Sequence, residues 1–111
     1  MKIVFYSIGE ITVIRLAGGL DSSSAAEARQ KLSPVMKKGG KFILDLTDVE
    51  YTFSAGLVML ISSYRDIANS GGKMALVHPQ DSVLQVLEMA GVPNAIPIYD
   101  DLDSAVAELN K

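Results

Sequence analysis

Apolar residues follow two rhythms along this chain. Residues 3–8 and 11–16 are β-like runs, and the two-residue link Gly9-Glu10 between them suits a hairpin. Downstream, one punctuation occurs three times: an amphipathic run, one or two glycines, then a short apolar, β-rich run. Gly39-Gly40 precedes residues 42–46, Gly71-Gly72 precedes residues 74–77, and Gly91 precedes residues 96–99. Glycine suits the left-handed position just past a helix end because it has no Cβ to clash there. The glycines therefore mark helices feeding strands.

Helix starts are equally legible, since Ser, Asp and Thr side chains accept hydrogen bonds from the first free backbone N–H groups. Asp21-Ser22-Ser23-Ser24 opens the first helix, with Ser24 and Glu27 at capping-box spacing. Ser82 and Gln85 repeat that spacing in the third, and Asp100-Asp101 opens the last. In the second, Leu57, Leu60, Ile61, Tyr64 and Ala68 share one face with Ser62 and Asp66 opposite, which predicts a helix over about residues 54–70 with that apolar face inward. Pro34 removes a backbone hydrogen bond, so a kink or break is expected near it. The order is ββαβαβαβα: one α/β domain over residues 1–111, its mixed sheet combining an initial hairpin with parallel strands joined by crossovers.

With 111 residues, 49% of them hydrophobic and 21% charged, the chain has the size and composition of one globular domain. No run approaches the roughly 18 to 20 apolar residues of a membrane span, and there is no signal-peptide pattern, so no membrane insertion and a cytoplasmic location are expected. The absence of cysteine excludes disulfides, thiolate metal sites and a cysteine nucleophile. A net charge of -3, with Lys37, Lys38 and Lys41 as the only dense basic cluster, argues against direct nucleic acid binding.

The raw material for catalysis is thin. His78 is the only histidine and supplies no constellation for a base or a metal. Ser54-Ala55-Gly56 is close to a hydrolase nucleophile elbow, but Thr52 stands where G-x-S-x-G needs its first glycine. The glycine pairs close helices where phosphate-binding motifs open them. Asp100, Asp101 and Asp103 are the acidic residues a helix dipole favours in a first turn. A binding protein with no enzyme activity, metal or cofactor is the expectation.

What remains is residues 44–57: a buried strand, an acidic polar loop, the aromatic Tyr51, and Ser54-Ala55-Gly56-Leu57 entering a helix. Together with Gly19-Leu20-Asp21 before the first helix and Gly71-Gly72 before the next strand, this resembles the STAS domains, named for sulfate transporters and anti-sigma factor antagonists. The resemblance covers nearly the whole chain and, without a membrane segment, points to the stand-alone antagonist branch. It implies a serine-kinase anti-sigma factor as partner, which phosphorylates the serine at the Ser54 position, and a serine phosphatase that reverses the mark. The unmodified antagonist binds the kinase and frees the sigma factor. Two residues depart from the pattern: Phe53 occupies the place usually held by aspartate, and Ala55 replaces a common second hydroxyl residue. Thr52 is near enough to be an alternative acceptor.

The residues expected at the partner surface are Asp21, Phe53, Ser54, Ala55, Gly56, Val58, Met59 and Ser62. On a helical wheel Ala55 and Met59 point away from the Leu57-Leu60-Ile61-Tyr64 face, with Val58 near the boundary, so Met59 is expected at the centre of that surface. The plain alternative for Met59 is an isolated exposed apolar residue, and for Ser54 it is an N-cap alone. The functional alternative is a constitutive STAS adaptor or scaffold subunit of a stress-signalling or lipid transporter complex.

Overall fold

A computed structural model describes residues 1–111 and has the predicted order. Strands β1 (Lys2–Ile8) and β2 (Ile11–Leu20) form the hairpin; helix α1 (Ser22–Met36), strand β3 (Lys41–Thr52), helix α2 (Ser54–Asn69), strand β4 (Lys73–Val77), helix α3 (Asp81–Met89), strand β5 (Ile98–Tyr99) and helix α4 (Leu102–Leu109) follow. The sheet order is β1-β2-β3-β4-β5, with β1 antiparallel to β2 and every later pair parallel.

Each parallel step carries the chain one strand further in the same direction. Right-handed crossovers then place α1, α2 and α3 on one face of the sheet. The larger core lies there, with Ile14, Leu16, Leu44 and Leu46 of the sheet against Leu32, Leu60, Ile67 and Leu87 of the helices. On the other face α4 buries Ala105 and Leu109 against Ile11, Val13, Ile43, Ala75 and Val77. The core is therefore two clusters separated by the sheet.

Gly39, Gly71 and Gly91 follow the first three helices with φ of 77°, 77° and 74°, the left-handed closure expected of them. Several local expectations change. The first helix is capped by Asp21, whose side chain accepts from the N–H groups of Ser23 and Ser24, while the Ser24 hydroxyl accepts from the Asp21 N–H. The capping box thus sits three residues upstream of the Ser24/Glu27 pair. α3 begins after Gln80 and has no side-chain cap, so Ser82/Gln85 is not a box; α4 is capped by Asp101, which accepts from the Ser104 N–H. Pro34 does not break α1, because it lies in the last turn where little helix remains to be lost.

The largest difference concerns the acidic polar loop after Leu46. Residues 47–52 are strand, and the twelve-residue β3 runs unbroken to Thr52 beside the ten-residue β2. Register shifts between Arg15 and Ala17 and between Gly18 and Gly19 let the two bend together. Val49 and Thr52 turn inward while Asp48, Glu50 and Tyr51 face out. This irregular spacing hides a strand from a search for strict alternation.

Candidate functional site

The long β2–β3 pair delivers two chain ends to one place. Leu20 pairs with Thr52, and the Phe53 N–H donates to the Leu20 carbonyl at 3.0 Å, so the start of α1 lies beside the start of α2. Two close approaches fix this junction. A Cβ on Gly56 would fall 2.3 Å from Thr52 Oγ1 and 2.9 Å from Leu20 Cβ, and one on Gly19 would fall 1.9 Å from the Tyr51 ring. Only glycine permits the first turn of α2 to sit on Leu20 and the Tyr51 ring to lie over the β2 backbone.

Phe53 is the N-cap residue of α2 and has no oxygen with which to cap. Its carbonyl accepts from the N–H groups of Gly56 and Leu57 at 2.9 and 3.2 Å. Ser54 is therefore the first residue of the helix and not its cap, with its hydroxyl side chain exposed. The N–H groups of a helix's first turn lack intrahelical acceptors and carry the positive end of its dipole, so an anion on Ser54 would meet favourable charge.

Around Ser54 lies an aromatic and apolar surface. Phe53 is 61% exposed and Val58 62%, and the Tyr51 and Phe53 rings stand 5.0 Å apart at 37°. The Tyr51 hydroxyl donates to Asp21 Oδ2 at 3.4 Å, linking the aromatic pair to the α1 cap. Hydrogen bonds from the Ser24 backbone and hydroxyl hold the Asp21 carboxyl below its ordinary range; the negative charge of Asp21 raises the Tyr51 phenol. Next to Val58, a shallow groove of about 290 Å³ runs between α1 and α2, lined chiefly by Ala25, Ala26, Arg29, Ala55, Val58 and Met59.

Of the residues expected at this surface, Asp21, Phe53, Ser54, Ala55 and Val58 are brought together here. Ser62 continues the Ser54–Val58 line along α2 and is half-buried. Gly56 is buried and acts through the backbone junction. Met59 is corrected: it is 3% exposed and belongs to the core. The buried arc of α2 comprises Gly56, Met59, Leu60, Ser63 and Ile67, while Leu57, Ile61 and Tyr64 are only half-buried. A second neighbour causes this. α1 packs along α2, where Arg29 bonds Ser63 and pairs with Asp66, and Ser63 donates to the Met59 sulfur at 3.7 Å. Thr52, at 4% exposed, is too enclosed to serve as an alternative acceptor. Tyr51 and Arg29 were not among the expected residues. Tyr51 was legible only as an aromatic in the motif, and nothing in the local sequence marks Arg29.

Elsewhere, His78 has a left-handed backbone, φ 55°, and is exposed at the end of β4. No group of three or more His, Cys, Asp or Glu side chains is arranged to hold a metal ion. No helix is long and apolar enough to cross a membrane.

Comparison with known proteins places this architecture. Residues 2–105 match the STAS domain family. The chain is 28% identical over 101 residues to the anti-sigma F factor antagonist of Paenibacillus polymyxa, covering 89% of this chain and 86% of the relative. It is 27% identical over 85 residues to the anti-sigma-B factor antagonist of Bacillus subtilis, covering 77% and 78%. Among solved structures, the anti-sigma factor antagonist SpoIIAA in its unphosphorylated form superposes with a TM-score of 0.79 at 18% identity, covering 98% of this chain and 96% of that one. Its phosphorylated form gives 0.70 at 19% identity, covering 96% and 98%, and at such identities both likenesses concern the fold.

Proposed function

The chain belongs to the STAS domain family, and from that premise we propose that it is an anti-sigma factor antagonist, a binding switch that works without catalytic turnover. Unmodified, it sequesters a serine-kinase anti-sigma factor; phosphorylated on Ser54 by that kinase, it lets go, and a serine phosphatase restores it. The reading places the protein in the cytoplasm, where sigma factors act. The observation that carries it is the exposed Ser54 in the first turn of α2, set between the exposed Phe53 and Val58. Relatives bearing the name anti-sigma factor antagonist, and a fold relative solved both with and without phosphate, support it.

Phe53 bears on how the switch is built. An aspartate there would cap α2 itself and oppose a neighbouring phosphate. Phe53 leaves the first N–H groups uncontested, so the phosphate would take over as the anion of that helix end, worth about 0.3–1 kcal/mol when exposed. The same phosphate brings roughly -1.5 to -2 charges to an apolar surface that must lose water to bind. Local stabilisation and loss of binding are thus compatible.

The test is titration of the unmodified, phosphorylated, Ser54→Ala and Ser54→Asp proteins against a serine-kinase anti-sigma factor from the same organism, with the fold followed by circular dichroism. Ser54→Ala should keep its affinity and resist phosphorylation. The phosphorylated form should bind about a hundredfold more weakly, an effect of roughly 2.8 kcal/mol, and Ser54→Asp should show part of that. Equal affinity for unmodified and phosphorylated protein would refute the switch and favour a constitutive adaptor.

A further inference from the structure

The two edges of the sheet are treated differently. β5 is only two residues long, and α4 follows it directly. β1 is seven residues long and pairs with β2 residue for residue from Lys2–Ala17 to Ile8–Ile11, with no bulge. Its outer edge carries no proline, and the consecutive Val4, Phe5 and Tyr6 are 42%, 41% and 39% exposed. Natural edges are usually shortened, bulged, covered or charged, because unpaired N–H and C=O groups template further pairing. None of these devices protects the middle of β1. On that sheet face α4 reaches across to Ile11 and Val13 of β2 but not to β1, and beyond it Val4, Arg15 and Asp48 line a shallow depression of about 310 Å³.

Charge at the two ends of this edge identifies its occupant. Lys2 begins β1 and Glu10 closes the hairpin, both exposed, and neither is among the ion pairs formed within the chain. When two copies of β1 run antiparallel with Tyr6 of each on the two-fold axis, Lys2 of each chain comes to the hairpin turn of the other, where Glu10 stands just beyond the end of β1. Val4 then faces Ile8, and Phe5 faces Ser7. Opposite charges meet twice, the apolar residues meet in the centre, and the same surface serves both partners, as a two-fold interface requires.

We propose that a second copy of this chain pairs with the β1 edge, joining two five-stranded sheets into one of ten strands. The interface is separate from the Ser54 surface and does not depend on how that surface is read. Sedimentation of the wild-type chain up to about 1 mM, the range of a weak association, should show a reversible dimer. Lys2→Glu or Glu10→Lys alone brings like charges together twice and should weaken the dimer about tenfold. The double swap should restore it to within about twofold. Hydrogen exchange should slow in alternate β1 amides as concentration rises. A chain that stays monomeric, a dimer indifferent to the single changes, or a double swap that fails to rescue would overturn the proposal. So would an edge that gains protection only when an anti-sigma factor is added, which would assign it to a strand of that partner.

Discussion

Asp21 ties three features together at a single residue. Its carboxylate caps α1, accepts from the Ser24 hydroxyl and meets the Tyr51 phenol beside the exposed aromatic pair. Because hydrogen bonding to Ser24 holds the folded-state pKa below the ordinary 3.8, the unfolded chain binds the proton more readily. The cap therefore contributes in full above the ordinary value and is lost as pH falls through the lower, folded one. Asp21→Ala should reduce the melting temperature at neutral pH, and the gap from wild type should close in strong acid. Asp21→Asn, which also caps well, should retain most of the stability and remove the part of the pH dependence that Asp21 contributes, leaving that of other carboxylates such as Asp101. Thermal scans of the three proteins across the acid range check this; an unchanged gap in acid would show that the carboxylate charge is not involved.

At the scale of the element, α2 shows how a helical wheel misleads. The sequence marks its start, its end and an apolar stripe, and all three correspond to something real. Periodicity, however, reports only which positions are apolar and not how many neighbours the helix has. With the sheet on one side and α1 on the other, the buried arc widens until Met59 and the hydroxyl of Ser63 lie inside it, leaving Val58 as the free apolar residue. The pairing of Arg29 with Ser63 and Asp66 involves residues 34 and 37 apart in sequence, so no local pattern announces it. Met59→Ala should cost about 2–5 kcal/mol of stability while leaving affinity per folded molecule nearly unchanged. Val58→Asp should change stability by less than about 0.5 kcal/mol and weaken partner binding. Denaturant titration combined with binding isotherms separates the two; the opposite assignment of effects would return Met59 to the surface.

Across the whole molecule, the order of elements was legible because glycines close the first three helices and aspartates cap the first and the last. The extension of β2 and β3 was not, because a bulged strand that exposes Asp48, Glu50 and Tyr51 reads as a polar loop. That extension carries Ser54 to the helix-covered face beside Asp21, while α4 seals the opposite face with a separate core. Damage to one core should therefore lower stability without reshaping the surface built on the other. Leu109, 6% exposed near the end of the chain, is the cleanest probe, since α4 contributes nothing to the α1–α2 groove. Leu109→Ala should destabilise by about 2 kcal/mol, the lower end of the range for such truncations because the site lies at a helix end that can relax. Affinity for the anti-sigma factor, corrected for the folded fraction, should stay within about twofold of wild type, as expected for sites without shared neighbours. A proportionate loss of affinity in fully folded Leu109→Ala would mean that the sheet transmits strain between its faces and that the two cores act as one unit.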